Sequence, residues 1–367
     1  MIYNWQQPDW KNFTFNLLEV ESDLMEFALK IGKIEGMLKV LPRETHLDIT
    51  ISSMAAEALK TSEIEGEYYS RTDVVSSIKN NLGLNPELEK VNDIRAVGVS
   101  ELMLDVSKSF SEPLTTEKLF SWHRMLMKGN HRINSGVWRS QEEPMLVVSG
   151  AFGREKIHFE APASGQVPEE MESFILWFNE TSPQGNSPIY NAPVRAAIAH
   201  LYFESIHPFE DGNGRIGRAI SEKVISQNAG IPIPLSLSLS IDLNKKKYYQ
   251  GLEKAQKSNH ITDWIIYFIS ITLDAQVRLE ELIYFTLKKA RFFESYQSQM
   301  NERQLKVIKR MLEEGDEGFL GGINARKYVS LTKVSKATAT RDLLDLREKE
   351  ILKVQGEGRN TSYQVNI

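Results

Sequence analysis

Apolar residues recur every three or four positions along most of the chain, which is the spacing of one face of an α-helix. In the segment 44–65, for example, Leu47, Ile51 and Met54 form such a stripe. The same spacing predicts helices over residues 17–41, 71–110 (with breaks near Gly83 and Pro86), 115–128, 193–205, 216–224, 244–257 and 261–297. The predicted fold class is therefore mainly α.

Two short apolar runs interrupt this helical pattern. Residues 145–148 and 156–159 are separated by a stretch that contains Gly150 and Gly153. Short apolar runs joined by turn residues are typical of a β-hairpin. We therefore expect one hairpin within a helical region.

The last segment has a pattern of its own. Helical spacing over residues 304–312, 323–331 and 335–349 is followed by strand-like runs at 351–354 and 362–365, with a turn at Gly356–Gly358. This order resembles a winged helix-turn-helix whose recognition helix is residues 335–349. The predicted domains are an N-terminal helical region (1–110), a central domain (111–260), a long connecting helix (261–299) and the winged helix (300–367).

Composition narrows the functional classes. The chain has 367 residues, enough for two or three domains, with 41% hydrophobic residues, a net charge of −5 and no cysteine. These values exclude disulfides and thiolate metal sites and give no general attraction to nucleic acid. No apolar run is long enough to cross a membrane and no secretory leader is recognisable, so we expect a cytoplasmic protein without a membrane contact.

The C-terminal segment leaves DNA binding open without favouring it. Residues 301–367 hold thirteen Lys or Arg and ten Asp or Glu, a net charge of +3. A DNA-binding domain normally carries a stronger basic surface. We therefore prefer a protein contact for this segment.

The most informative stretch runs from Ile206 to Arg218. Pro208 interrupts the helical pattern that precedes it, the sequence Asp-Gly-Asn-Gly at 211–214 is typical of a turn, and a new helical pattern follows. The stretch is thus a loop between two helices, with Gly212 and Gly214 near the start of the second. The unpaired N–H groups at a helix start, together with glycines that allow close approach, favour the binding of a phosphate.

The side chains in this loop suit phosphate chemistry. Arg215 and Arg218 lie three residues apart and can both reach a phosphate chain, and Asp211 is a suitable ligand for Mg²⁺. His207 is the nearby group best suited to take up a proton at neutral pH. Two other interpretations fit less well: a dinucleotide fingerprint must follow a strand, and a zinc site at His200, Glu204 and His207 leaves the glycine loop unexplained.

Residues 207–218 resemble the Fic family of AMP transferases, because they match its signature HPFx(D/E)GNGRxxR in full. The resemblance implies that His207 is the general base toward a protein hydroxyl and that Asp211 binds Mg²⁺. It also implies that the backbone of Gly212, Asn213 and Gly214 cradles the ATP phosphates and that Phe209 points into the core. The remaining predicted nucleotide-site residues of the signature are Arg215, Ile216, Gly217 and Arg218.

A second motif lies at the end of the helix 44–65. Thr61 to Gly66 resembles the inhibitory motif (S/T)xxxE(G/N) of class II Fic proteins, in which it precedes the catalytic core. In that class the glutamate pairs with the second arginine of the signature and displaces the γ-phosphate. The resemblance therefore implies that Glu65 pairs with Arg218, since a carboxylate competes with phosphate for the same guanidinium donors.

The family resemblance extends to the hairpin and to the helix 244–257. The hairpin corresponds to the flap of Fic enzymes, whose nucleotide-side edge would be Lys156, Ile157, His158 and Phe159. Ala161–Pro162 replaces the family's usual proline pair, and His158 is interpreted as a flap or surface residue rather than a second catalytic histidine. Tyr248 and Tyr249 match a tyrosine pair that helps to bind adenosine, and Gln256 is a further candidate on the adenine side.

These resemblances lead to a functional prediction. The chain is expected to transfer AMP from ATP to a Ser, Thr or Tyr hydroxyl of a target protein, or of itself, and to release pyrophosphate. Two alternatives stay open: removal of AMP by the same site, and a transcriptional regulator in which a nucleotide-binding core controls the winged helix. A homodimer is also left open.

Overall fold

The computed structural model describes residues 2–150, 156–313, 315, 318–356 and 361–367. The chain divides into two compact units: Met1–Leu41 with Thr50–Leu279, and Pro42–Ile49 with Glu280–Ile367. The first unit contains the predicted site and the second contains the C-terminal segment. In the part of the chain described, no helix combines the length and the apolar character needed to cross a membrane.

The prediction of a mainly helical protein is confirmed. In chain order the helices that belong wholly or partly to the first unit are α1 Glu21–Val40, α2 Arg43–Ile64, α3 Arg71–Asn81, α4 Ile94–Lys108, α5 Thr116–Leu126, α6 Val167–Glu180, α7 Ala192–Ile206, α8 Asn213–Ala229, α9 Leu237–Asp242, α10 Lys245–Ala255 and α11 Thr262–Tyr296.

Helix α7 lies at the centre of the first unit. All of its residues are buried, and it packs along α8, which follows it in the chain. The indole of Trp264 on α11 donates a hydrogen bond to the α7 carbonyl of Ala197 over 2.9 Å. Because both helices that flank the predicted loop belong to the core, the loop between them has fixed ends.

Helices α6 and α9 were not expected from the sequence. The buried residues of α6 are Val167, Met171, Phe174 and Phe178, which recur at helical spacing, and a proline in its first turn is compatible with a helix start. The signal for α6 was therefore present. Helix α9 has only six residues, too few to show a period.

The expected hairpin is present. Strand β1 Leu146–Ser149 pairs antiparallel with β2 Lys156–Glu160, and the register is irregular between Val147 and Val148. Phe159 is buried and its ring meets that of Tyr3 edge to face at 5.0 Å between centroids. The turn is expected at residues 149–153, and residues 151–153 lie outside the described part of the structure.

The second unit has the predicted order of elements. Helices α12 Glu302–Leu312, α13 Ala325–Thr332 and α14 Lys336–Glu348 precede the antiparallel pair β3 Leu352–Gln355 and β4 Ser362–Val365. They enclose a core that includes Val307, Ile308, Tyr328, Leu343 and Leu346. The expected turn falls partly on residues 357–360, outside the described part, and the assignment of this unit as a winged helix stays a prediction.

Candidate active site

The loop between α7 and α8 is held by its own side chains. His207 ends α7 in the left-handed conformation, with φ 52°, and Gly212 precedes α8 with φ 83°. The Asn213 side chain accepts a hydrogen bond from the Phe209 N–H at 2.9 Å and donates one to the Phe209 carbonyl at 2.8 Å. These two bonds fix a tight turn, so that His207 and the start of α8 face a common space.

Phe209 anchors this loop in the core, as expected. It is fully buried, stacks on the His123 ring at 4.0 Å and contacts Trp138 at 5.1 Å. Arg139 holds the loop from the other side, because its Nε donates to the His207 carbonyl at 2.8 Å. Arg139 also donates to the carbonyl of Pro162, the residue two positions after β2, and so connects the hairpin to the loop.

A carboxylate lies at the start of α8. A Cβ atom added to Gly214 would be only 2.3 Å from Glu65 Oε1, so this oxygen lies directly against the backbone of the first turn. A helix start attracts an anion through its free N–H groups and its dipole. Glu65 therefore occupies a position that suits a phosphate oxygen.

Arg218 binds the same carboxylate. Its Nη2 lies 2.8 Å from Glu65 Oε1 and 2.9 Å from the Thr61 carbonyl, and its Nε donates to Thr61 Oγ1 at 2.8 Å. The guanidinium is 1% exposed. Burial alone disfavours its charged form, but the Glu65 carboxylate outweighs burial and the pKa of Arg218 is raised. The expected pairing of Glu65 with Arg218 is thus present in the structure.

Arg215 binds two further carboxylates, one of which the sequence did not indicate. Its Nη1 lies 3.0 Å from Glu67 Oε1 and its Nη2 lies 3.2 Å from Asp211 Oδ1. Tyr69 donates its hydroxyl proton to Glu67 and holds it in place. Both arginines of the loop therefore meet a carboxylate from the short segment that ends α2 and follows it.

Both arginines also keep capacity for another ligand. Arg215 Nε and Arg218 Nη1 are buried and have no hydrogen-bond partner among the described residues. An unsatisfied buried N–H is costly and rare in folded proteins. The position of these donors beside the helix start indicates an anionic ligand with several oxygens.

Comparison with known proteins identifies this region. Residues 113–225 match the Fic/DOC family, and residues 3–84 match a domain of unknown function, DUF4172. Residues 113–225 form a Fic domain. The match includes the whole signature 207–218, so the resemblance drawn from those residues is confirmed.

Curated relatives share this part of the chain. The chain is 26% identical to a probable protein adenylyltransferase of Aquifex aeolicus over 147 residues. These residues cover 40% of this chain and 38% of that protein. The chain is also 26% identical over 162 residues to the protein adenylyltransferase Fic of Nematostella vectensis, which is 43% of this chain and 33% of that protein. The chain thus spans well under half the length of either relative.

Solved structures show that the fold is shared more widely than the sequence. A Fic family protein from Desulfovibrio desulfuricans aligns with a TM-score of 0.52 at 18% identity, over 94% of this chain and 95% of that one. A Fic domain containing signaling protein from Bacteroides thetaiotaomicron aligns with a TM-score of 0.54 at 17% identity. The alignment covers 73% of this chain and 97% of that one. At such identities the likeness concerns the fold.

The predicted metal ligand of the Fic domain is accessible. Asp211 uses the same oxygen, Oδ1, for its contacts with Arg215 and with the Gly212 N–H, which lies 2.6 Å away. Its side chain is 45% exposed. Mg²⁺ commonly binds through one carboxylate together with substrate phosphates and water, and Asp211 fits that use. The zinc alternative is disfavoured because His200 directs its Nε2 to Tyr248 at 2.8 Å and its Nδ1 to Ser221 at 3.3 Å.

The residues of the hairpin edge become more buried along β2 toward Phe159. Lys156 and Ile157 are exposed, whereas Phe159 faces the core. His158 connects the hairpin to α10, because its Nδ1 lies 2.7 Å from Glu253 Oε2 and its Nε2 lies 2.6 Å from Ser149 Oγ. The bonds from Lys257 and His158 lower the pKa of Glu253 to about 2. His158 thus has a hairpin-to-helix contact, in keeping with its interpretation as a flap residue.

The three predicted adenosine contacts differ in their surroundings. Tyr248 is buried with its hydroxyl at His200, and Gln256 is buried with its Nε2 donating to the Glu204 carbonyl at 3.1 Å. Tyr249 is 38% exposed and its hydroxyl lies 3.5 Å from the Ile64 carbonyl, beside Glu65. Only Tyr249 of these three therefore presents a surface to a ligand in this conformation, and the nucleotide contacts of all three stay predictions.

A buried pair of carboxyl groups, which no sequence pattern indicated, links α2 to α8. Glu57 accepts hydrogen bonds from Ser236 Oγ at 2.9 Å and from the Ser238 N–H at 2.8 Å. Glu222 faces Glu57, and both line a cavity of about 30 Å³, room for about one water molecule. Burial and the Glu57 carboxylate raise the pKa of Glu222 well above its usual value. The pair therefore holds a proton next to Arg218.

This proton makes the stability of the first unit depend on pH. Because the folded state holds the Glu222 proton more tightly than the unfolded state, the free energy of unfolding falls as the pH rises above the usual carboxyl value of 4.5. Glu222→Gln cannot titrate and its amide can donate to Glu57. We expect its melting temperature to fall less than that of the wild type between pH 5 and pH 8.

The control is Glu172→Gln, which removes an exposed glutamate from α6. Thermal unfolding followed by circular dichroism at several pH values measures both variants. Equal pH dependence in the wild type, Glu222→Gln and Glu172→Gln would contradict the assignment of a buried, protonated Glu222.

Proposed function

We propose that this protein transfers AMP from ATP to a Ser, Thr or Tyr hydroxyl of a target protein, or of itself, and releases pyrophosphate. The observation that carries the proposal is the start of α8, where Glu65 lies against the Gly214 backbone and binds Arg218, and where Arg215 and Arg218 each retain a buried donor without a partner among the described residues. A polyphosphate meets all of these groups in place of the carboxylate. The similarity to curated protein adenylyltransferases supports the same reaction.

In the proposed reaction His207 accepts the proton of the target hydroxyl. The hydroxyl oxygen attacks the α-phosphorus. The bond between this phosphorus and the oxygen that bridges the α- and β-phosphates breaks, and pyrophosphate leaves with the electron pair of that bond. The N–H groups of residues 212–214 stabilise the charge on the phosphates. Asp211 would hold Mg²⁺, which supplies positive charge to the phosphates. Arg215 and Arg218 would bind the outer phosphates.

The end of α2 would restrain this reaction. Glu65 and Thr61 together occupy three donor positions of Arg218. A γ-phosphate would need the same guanidinium, so ATP can reach its productive position only after Glu65 moves away. Helix α2 ends at Ile64, and Gly66, with φ 83°, directly follows Glu65 and allows a local change there.

Further elements of the proposal concern recognition. The hairpin edge 156–159 would align a segment of the target protein, and Tyr249 would contact adenosine with support from Tyr248 and Gln256. We also propose a location in the cytoplasm and assembly as a homodimer. The proposed domain limits are 1–110, 111–260, 261–299 and 300–367. For residues 300–367 we propose a winged helix that contacts protein rather than DNA.

Glu65→Gly is expected to raise the rate of AMP transfer at least about tenfold, because it frees Arg218 for the γ-phosphate; this corresponds to about 1.4 kcal/mol of barrier. Adding His207→Ala should lower that rate by about 10²- to 10⁴-fold, since the general base is lost. Mass spectrometry of the protein after incubation with ATP and Mg²⁺ measures the AMP attached to it.

The matched control is Glu63→Gly in the same helical turn. Glu63 pairs with Lys60 instead of Arg218, so its loss should leave the transfer rate near that of the wild type. Equal activation by Glu63→Gly and Glu65→Gly would show that loosening the helix, and not freeing Arg218, is responsible. AMP transfer that survives His207→Ala unchanged would remove the proposed mechanism.

Glu67 is expected to add to this restraint through Arg215. In the Glu65→Gly background, Glu67→Gln should tighten the binding of ATP by a few-fold, because a neutral amide competes less well than a carboxylate for the guanidinium. The affinity for AMP should change less, since AMP lacks the outer phosphates. Isothermal titration calorimetry with both nucleotides measures the effect, and unchanged or weaker ATP binding would contradict it.

A further inference from the structure

Glu204 has no role in the reaction as described so far, although it lies beside the proposed base. It is on the last turn of α7, three residues before His207, and it is 4% exposed. Its Oε2 lies 3.6 Å from His207 Nδ1. A charged side chain is rarely buried without a partner, so the identity of its partner is informative.

The two side chains lack other partners where they face each other. His207 Nδ1 is buried and without a hydrogen bond among the described residues, and Glu204 Oε2 is the carboxylate oxygen that faces it. The other oxygen, Oε1, lies on the side of Gly217 and is also buried without a hydrogen bond among those residues. A separation of 3.6 Å is slightly too long for a hydrogen bond, and a movement of less than 1 Å would bring the pair to bonding distance. Closing that distance would give His207 Nδ1 a hydrogen-bond partner and would stabilise the buried negative charge of the Glu204 carboxylate.

The Glu204 carboxyl is ionised. Burial on its own would raise the pKa of Glu204, but the imidazole of His207 and the positive charge of Arg218 more than offset burial, and the pKa is lowered. An ionised carboxylate only accepts hydrogen bonds. The ring nitrogen that faces it must therefore carry a proton to form a bond.

Neighbouring groups keep the carboxylate in this place. Gln256 donates its Nε2 proton to the Glu204 carbonyl, which fixes the backbone. Gly217 leaves room for the side chain, because a Cβ atom at that position would lie 2.8 Å from Glu204 Oε1 and 3.2 Å from His200. The glycine at this variable position of the signature thus has a physical reason in this chain: it accommodates Glu204.

We propose that Glu204 is a positioning residue for His207: the Glu204 carboxylate accepts a hydrogen bond from Nδ1–H of the imidazole, which leaves Nε2 as the nitrogen that removes the proton of the target hydroxyl. This inference rests on the proposed function for the role of Nε2. When Nε2 takes up the hydroxyl proton, the ring becomes an imidazolium and the adjacent carboxylate stabilises its charge. Nε2 then returns the proton to solvent after pyrophosphate has left, and the Nδ1 proton stays in place throughout.

The first test reads the position of the proton directly. In protein labelled with ¹⁵N at histidine, the nitrogen chemical shifts of neutral His207 are expected to show Nδ1 protonated and Nε2 bare, with the His207→Gln spectrum used for assignment. This experiment needs no activity. A neutral His207 protonated on Nε2 in the wild type would overturn the proposal whatever the variants do.

The second test uses Glu204→Gln and Glu204→Asp in the Glu65→Gly background. The Gln variant can donate an N–H to Nδ1 and favours the opposite tautomer, so kcat should fall by about 10²- to 10⁴-fold, the range for loss of general base catalysis. KM for ATP should change little, because Glu204 does not touch the nucleotide. The Asp variant keeps the charge and should restore part of kcat together with the Nδ1-protonated form.

The outcomes separate this proposal from the proposed function. If Nδ1 is protonated in the wild type but no variant transfers AMP, the proposed transferase function is rejected. The proposed contact between Glu204 and His207 would still stand. AMP transfer at an unchanged kcat in Glu204→Gln would overturn the positioning role and leave the transferase. Gly217→Ala keeps the carboxylate but displaces it, and the same tautomer change is expected there as in Glu204→Gln; an unchanged tautomer in a folded Gly217→Ala would count against the proposal.

Discussion

The contact between the Glu65 carboxylate and the Arg218 guanidinium is the interaction on which the arrangement of this site depends. It brings a negative group to the start of α8, where helix geometry and dipole already favour an anion, and it neutralises a guanidinium that is 1% exposed. Breaking it without a replacement would leave a buried positive charge unpaired, which is strongly unfavourable. A phosphate is a suitable replacement, so the same physical demand that stabilises the closed site also makes it ready for a nucleotide.

The proposed restraint would require a change only at the end of α2. Further along the same helix Ile51, Ala55 and Ala58 belong to the core, and Glu57 is bound by Ser236 and Ser238. Glu65, in contrast, lies just after the last helical residue and next to a glycine with positive φ. Rotation of the Glu65 side chain and its local backbone would therefore release the Arg218 donor that it occupies, while Thr61 and the rest of the helix stay in place. Under this proposal, regulation and stability would depend on different parts of one helix.

The sequence was most informative where function is encoded in a local pattern. The loop at 207–218, its position between two helices and the hairpin at 146–160 follow from residues close together in the chain, and the burial of Phe209 was implied by the family resemblance of the same loop. The pairing of Glu65 with Arg218 joins residues 153 positions apart, and it was predicted only because a family resemblance supplied the partner. No local pattern could have indicated it.

The residues that the sequence did not reveal are single glutamates on helices or just after them. Glu57, Glu67 and Glu222 look like ordinary polar positions, because their partners come from other segments of the chain. Glu204 was considered only as a zinc ligand, and its contact with His207 three residues later depends on the left-handed turn of the chain at His207. Tyr248 and Gln256 are a different case: the resemblance implies a ligand contact, which stays a prediction, and their hydrogen bonds to His200 and to the Glu204 carbonyl were not foreseen. Burial is decided by the packing of distant segments, which local periodicity does not record.

The most direct test of the central claim follows the two ends of the ATP phosphate chain. Glu65→Gly, with and without His207→Ala, is incubated with Mg²⁺ and with ATP that carries ³²P at either the α- or the γ-position, and the label that stays on denatured protein is counted. We expect the protein to retain label from the α-position only, because the γ-phosphate leaves with pyrophosphate. We expect this α-label to disappear from the protein when His207 is replaced. Protein labelled from the γ-position, or α-label that does not depend on His207, would contradict transfer of AMP by this site.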